Sequence, residues 1–284
     1  MSSGGSGGSS NGGSSSSAGA SGSVAAGGSN EFVSTLINAP ARLRGDVGID
    51  QSSGDDVTFL VRTSLEFGSK RGPWDGCTRN QLGDCWYYDC PAGSNALGSN
   101  NVPPVYYDAG SVTITSGSNT LAGGYDTSSG MYTGRASQQL WPLAGGTVTF
   151  TVSGSSVVPA FTMQIQAPPV VRLLSVNGEA APTSLTRSQG ATVVWNAKGP
   201  GSVFFALAQY SGTRPAAICV FDATANQGTL PAAVLEKIDP GTKYYLEFRG
   251  DARAEVMAGD FDISGTAYSY GFDLNRASSA IELK

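Results

Sequence analysis

The chain has 284 residues, a net charge of −5 and no histidine. A mildly acidic surface disfavours nucleic acid, whose affinity comes mainly from cationic contacts to phosphate. No basic run is longer than Ser69–Arg71 and no apolar stretch exceeds strand length, so neither a polybasic membrane patch nor a spanning segment is expected.

Residues 1–30 are almost entirely Gly, Ser and Ala. Such a tract cannot bury enough surface to offset its ordering entropy, and it reads as a flexible tether with a reach of about 30 Å. It follows Met1 directly. The tract is expected to be the tether of a bacterial lipoprotein whose native first residue is cysteine; the alternative is an artificial linker.

From residue 31 the pattern is β throughout. "VTFLVRTSLEF" (57–67) is rich in β-branched and aromatic residues. "SVTIT" (111–115), "GTVTFTVSG" (146–154) and "FTMQIQA" (161–167) alternate apolar and polar residues. Strands at short spacing, punctuated by Gly/Ser/Asn clusters, predict an all-β protein with an N-terminal sandwich over 31–167. The paired prolines 168 and 169 predict a stiff joint. A second domain, 168–284, follows with strands in "ATVVWNA" (191–197), "SVFFALAQY" (202–210) and "AICVF" (217–221). One short helix is predicted in "TLPAAVLEKI", capped by Thr229 with Pro231 in its first turn.

The segment "IDPGTKYYLEFRG" (238–250) resembles the E–F corner of fibronectin type III and immunoglobulin-like domains. The resemblance implies that Tyr244 returns a hydroxyl hydrogen bond to the backbone and that Trp195 is the buried core tryptophan. The second domain is therefore expected to be Ig/fibronectin-III-like. More widely, "GDCWYYDC", "YYDAGSVTIT", "LAGGTVTFTVSGSSVVPAFTMQIQAP", "LTRSQGATVVWNA" and "ICVFDATANQGTLPAAVLEKI" occur in an order that resembles surface lipoproteins of myxobacteria and related deltaproteobacteria. That resemblance implies an export signal, a lipidated cysteine and a location at the outer-membrane surface; it carries no activity.

Three of the four cysteines, Cys77, Cys85 and Cys90, cluster in one segment, and Cys219 is distant. Zinc knuckles have closer spacings and commonly a histidine, and a catalytic thiolate needs an activator, so disulfides are the favoured reading. "CWYYDC" reads as a strand; fully extended, it sets Cys85 and Cys90 about 17 Å apart, too far to bond. Cys77–Cys85 with Cys90–Cys219 is the preferred connectivity, and Cys77–Cys90 with Cys85–Cys219 the second.

Other candidates are weaker. Arg44–Asp46 and Arg249–Asp251 are RGD tripeptides, the latter placing Gly250 where a hairpin would need positive φ. Asp260, Asp262 and Ser264 echo the first half of a calcium loop, but Gly271 stands where the bidentate Glu belongs. The aromatics Trp74, Trp86, Tyr87 and Tyr106 could bind sugar rings if exposed together, with Trp86 and Tyr88 on one strand face and Tyr87 on the other. Asp55, Asp56, Asp84 and Asp89 are the carboxylates a histidine-free hydrolase would draw on. The expectation is a non-catalytic, exported structural or adhesion module with no required cofactor. Its partner would be an envelope protein or polysaccharide, and it would touch membrane only through a lipid anchor.

Overall fold

The computed structural model describes residues 43–53, 59–68, 78–89, 106–209, 215–241, 243–271 and 280–284. These form β1 (Leu43–Ser53), β2 (Phe59–Gly68), β3 (Thr78–Leu82), β4 (Cys85–Asp89), β5 (Val112–Ser116), β6 (Asn119–Asp126), β7 (Met131–Ala136), β8 (Gly146–Val152) and β9 (Phe161–Ala167). They continue with β10 (Val171–Val176), β11 (Ser184–Leu185), β12 (Ala191–Ala197), β13 (Ser202–Gln209), β14 (Pro215–Asp222), β15 (Gln227–Leu230), α1 (Ala232–Leu235), β16 (Lys243–Ala258), β17 (Phe261–Gly271) and β18 (Ile281–Leu283). The described residues are mostly β, as expected, with one short α-helix. The strands form one large mixed sheet of 15 strands, in the order β3-β4-β14-β13-β16-β17-β1-β2-β7-β6-β5-β8-β9 with β11 and β18 off the path. A separate three-stranded sheet runs β10-β12-β15.

Period-two patterning sets which face of each strand is inward. Along β17 every odd residue from Phe261 to Gly271 is buried and every even one is partly exposed. β9 alternates strictly, from buried Phe161 to buried Ala167. The large sheet folds over at β6: its first half pairs with β5 and its second half, from Gly124, with β7. The Gly123–Gly124 pair carries no side chains to resist that bend. Folding over brings β9 onto β17, where Gly265 sits directly beneath the Met163 and Ile165 side chains; a Cβ on Gly265 would collide with both.

Two hydrophobic cores result. The first is built from strands between β1 and β9, with Trp141, Phe150 and Tyr132 fully buried, and it also takes Ala258, Phe261, Ile263 and Ala267 from β16 and β17. The second surrounds Trp195 with Phe205, Phe221, Tyr244 and Phe248, and it also takes Cys85 from β4. The expected boundary between 167 and 168 is thus crossed in both directions. The prolines at that point are buried: the Trp141 indole donates to the Pro168 carbonyl at 3.2 Å, and Ser269 donates its hydroxyl to the Pro169 carbonyl.

The corner expected from "IDPGTKYY" is present. The Tyr244 hydroxyl donates to the Asp239 carbonyl at 3.1 Å, and Trp195 is buried, stacked on Phe221 and donating to the Ala223 carbonyl at 2.9 Å. The helix is a single turn, with Pro231 preceding it; Thr229 lies in β15 and caps nothing. Gly250 does not turn a hairpin. It lies within β16, which continues to Ala258, and a Cβ there would strike the Pro169 carbonyl at 2.6 Å, so the position takes glycine for close packing and not for a turn.

Removing one hydroxyl tests the corner. Tyr244→Phe should lower the unfolding free energy by about 1 kcal/mol, the ordinary net contribution of one such hydrogen bond, measured by urea denaturation; an unchanged midpoint would show that the corner hydrogen bond contributes nothing.

Candidate functional site

Strand register places one set of residues on the face of the large sheet turned away from both cores. From β13 to β1 that face carries Phe204, then Glu247, Arg249, Asp251 and Arg253, then Tyr268 and Tyr270, then Asp50 and Ser52. Arg249 is the centre. Its guanidinium lies 4.1 Å from the Phe204 ring centroid and 4.0 Å from that of Tyr268. It pairs with Glu247 and, at 3.1 Å, with Asp251, which also accepts from Arg253 at 3.0 Å. Its side chain is only 9% exposed. A planar, weakly hydrated guanidinium suits a slot between two rings in a way that an ammonium does not.

The same surroundings perturb the neighbouring acids. Burial pushes the Tyr270 phenol up to about 12, against the pull of Arg249. Burial also raises Asp50, partly offset by its 3.1 Å hydrogen bond from Arg62. Glu255 is raised by burial and then by the Asp262 carboxylate, with Arg44 opposing. Cations, rings and carboxylates thus interlock across this face, with Asp251 held by two arginines.

The second RGD is therefore an inner part of this ladder, and the first lies in β1, where Gly45 faces Ile263 and Phe67. Sequence reading missed the ladder because its members come from four strands. The alternation of Arg249, Asp251 and Arg253, and of Tyr268 and Tyr270, is the only local trace.

Of the expected aromatic set, the described members Trp86 and Tyr87 are not brought together with Tyr106. Trp74 lies outside the described residues. Trp86 is 4% exposed, and Tyr87 packs against the second core. Tyr106 bridges to Gly68 at the end of β2 and fills the space beside Gly130. Six strand spacings separate β4 from β2, about 29 Å along the sheet. Trp86 and Tyr87 do occupy opposite faces, as the alternation predicts.

Among the cysteines, Cys85 bonds to Cys219, in the second of the two expected connectivities rather than the preferred one. Cys85 and Cys219 are direct antiparallel partners, and Val220 N–H donates to the Asp84 carbonyl beside them. That makes them a non-hydrogen-bonded pair, the closer of the two antiparallel pairings, with their Cα atoms 4.0 Å apart. Cys77 and Cys90 lie outside the described residues.

Asp262 and Ser264 project from the partly exposed face of an extended strand, with Asp260 in the turn before it. They do not form a loop wrapped around a cation, and no metal-sized group of His, Cys, Asp and Glu occurs among the described residues. Asp84 and Asp89 stand just before and at the far end of β4, about 16 Å apart. A glycosidase pair needs at most about 9.5 Å. Asp55 and Asp56 lie outside the described residues. One open depression of about 480 Å³ is lined by Ser116, Asn119, Gln139, Trp141, Pro142 and Thr147, with the Trp141 ring itself fully buried.

No protein-family model matches this chain, and no curated protein matches it.

The stack gives a direct test. Arg249→Lys keeps the charge but loses the planar fit between two rings, so it should cost about 1–2 kcal/mol of stability, read by chemical denaturation; a cost under about 0.5 kcal/mol, typical of a surface substitution, would show that the rings do not hold Arg249.

Proposed function

We propose that this chain is an exported, non-catalytic module of the bacterial envelope that binds or braces an envelope protein or polysaccharide. The observation that carries the reading is the Cys85–Cys219 bridge. It closes a loop across 134 residues, and on the chain-entropy account a loop of that size is worth roughly 5 kcal/mol against unfolding. Such a bridge persists in oxidising compartments and is rare in reducing ones. Both its sulfurs are buried, which shields it from exchange.

In this reading residues 1–30 are the tether, and a lipid ahead of them is the membrane attachment; no helix among the described residues is long and apolar enough to cross a bilayer. Each core is read as an Ig-type sandwich unit, on the strength of the tyrosine corner in the second and the folded-over sheet in the first. The Arg249 ladder supports a bracing role, since ion pairs held between rings stiffen a surface.

The test is a thiol titration and disulfide peptide map of unreduced protein from its native cells, with protease shaving of intact cells. The expected result is no free thiol, a peptide pair linking Cys85 to Cys219, and loss of the protein on shaving. Four free thiols in a shaving-resistant protein would overturn the reading.

A further inference from the structure

The β3–β4 hairpin at the edge of the large sheet holds two side-chain donors, those of Arg79 and Trp86, with no hydrogen-bond acceptor among the described residues. The hairpin turns through Gly83, at φ 61°, and pairs Arg79 with Tyr88 and Gln81 with Trp86. This puts Arg79, Trp86 and Tyr88 on one face. The Arg79 guanidinium lies 4.6 Å from the Trp86 ring centroid. No carboxylate pairs with Arg79 among the described residues, in contrast to Arg62, Arg249 and Arg253. Trp86 is only 4% exposed, and its Nε1–H has no hydrogen-bond partner.

That second fact is unusual in this molecule. Trp141 and Trp195 both donate their indole N–H to backbone carbonyls. A buried donor left unpaired costs about 1–3 kcal/mol, so its retention calls for an acceptor that the described residues do not supply. Partial burial without a counter-ion also lowers the Arg79 pKa, with Tyr88 opposing.

We infer that Arg79 and Trp86 anchor a binding site for an oxyanion, a carboxylate or sulfate group carried by a ligand. The chemistry follows from the donors. A guanidinium offers two parallel N–H groups that match a carboxylate or a sulfate edge, and the indole adds a third donor. Neither side chain offers an acceptor, so a neutral donor ligand has nothing to bond to. Entry requires the half-buried Arg79 side chain to turn from the ring face onto the ligand, and the ligand to approach the indole N–H in the plane of the ring. The site rests on this geometry alone and stands or falls apart from the export reading: a cytosolic protein could carry it, and an exported one could lack it.

The experiment follows the indole N–H resonances of the ¹⁵N-labelled full chain while sodium sulfate or sodium acetate is added against sodium chloride at matched ionic strength. Trp86 is assigned by its contacts to Arg79 and checked with Trp86→Phe. The expected result is a saturable downfield movement of the Trp86 N–H in at least one of the two oxyanions. Trp141 and Trp195, already bonded, should stay in place. Arg79→Gln, on an exposed edge strand and safe for folding, should weaken the response at least tenfold. A Trp86 signal that moves no more than those of Trp141 and Trp195, or a response that Arg79→Gln leaves intact, would overturn the assignment. The two salts separate carboxylate from sulfate preference.

Discussion

The fold depends on one hairpin. β16 is 16 residues long, and its first half packs Tyr244, Leu246 and Phe248 into the second core while its far end places Ala258 in the first. β17 returns from it, pairs in parallel with β1 along its whole length, and buries Phe261, Ile263 and Ala267 in the first core. Without this hairpin, β1 would lose one of its two neighbours and the first core would lose a wall. Gly250 and Gly265 allow it: at each, even a methyl group would collide with the layer above, so β16 and β17 lie closer to Pro169 and Met163 than any other residue would permit.

The exchange runs the other way through β3 and β4. That hairpin leaves the sequence of the first body and adds to β14 at the edge of the second, where the disulfide fixes it. Each core thus contains strands from the other half of the chain. Long-range strand pairings of this kind are costly to form, because loop closure comes before the contacts that reward it. Once formed they make separation of the halves equivalent to unfolding.

Much of this was legible in the sequence, and the failures have physical causes. Strands with clean alternation, such as β8, β9 and β12, were read almost to the residue. The corner around Tyr244 was read because Pro, Gly, Thr and Tyr make a local pattern. β1 was not read: Gly45, Asp46, Gly48 and Asp50 depress strand propensity, and only the spacing of Val47, Ile49 and Gln51 betrays its buried face. The turn at Gly250 was wrong for a related reason, since Arg-Gly-Asp looks like a loop until Pro169 is known to lie over the glycine. The disulfide partner of Cys85 is invisible locally, because β4 and β14 meet only in the tertiary fold. The same holds for the Arg249 ladder, whose charges and rings come from separate strands.

The central claim is that two cores behave as one cooperative body through the shared hairpin. Hydrogen exchange followed by mass spectrometry across a urea series tests it most directly, comparing peptides from β8 in the first core with peptides from β12 in the second. If the hairpin couples the cores, both sets lose protection at the same urea concentration with the same opening free energy. Two separated transitions, with β12 protected after β8 has exchanged or the reverse, would contradict it.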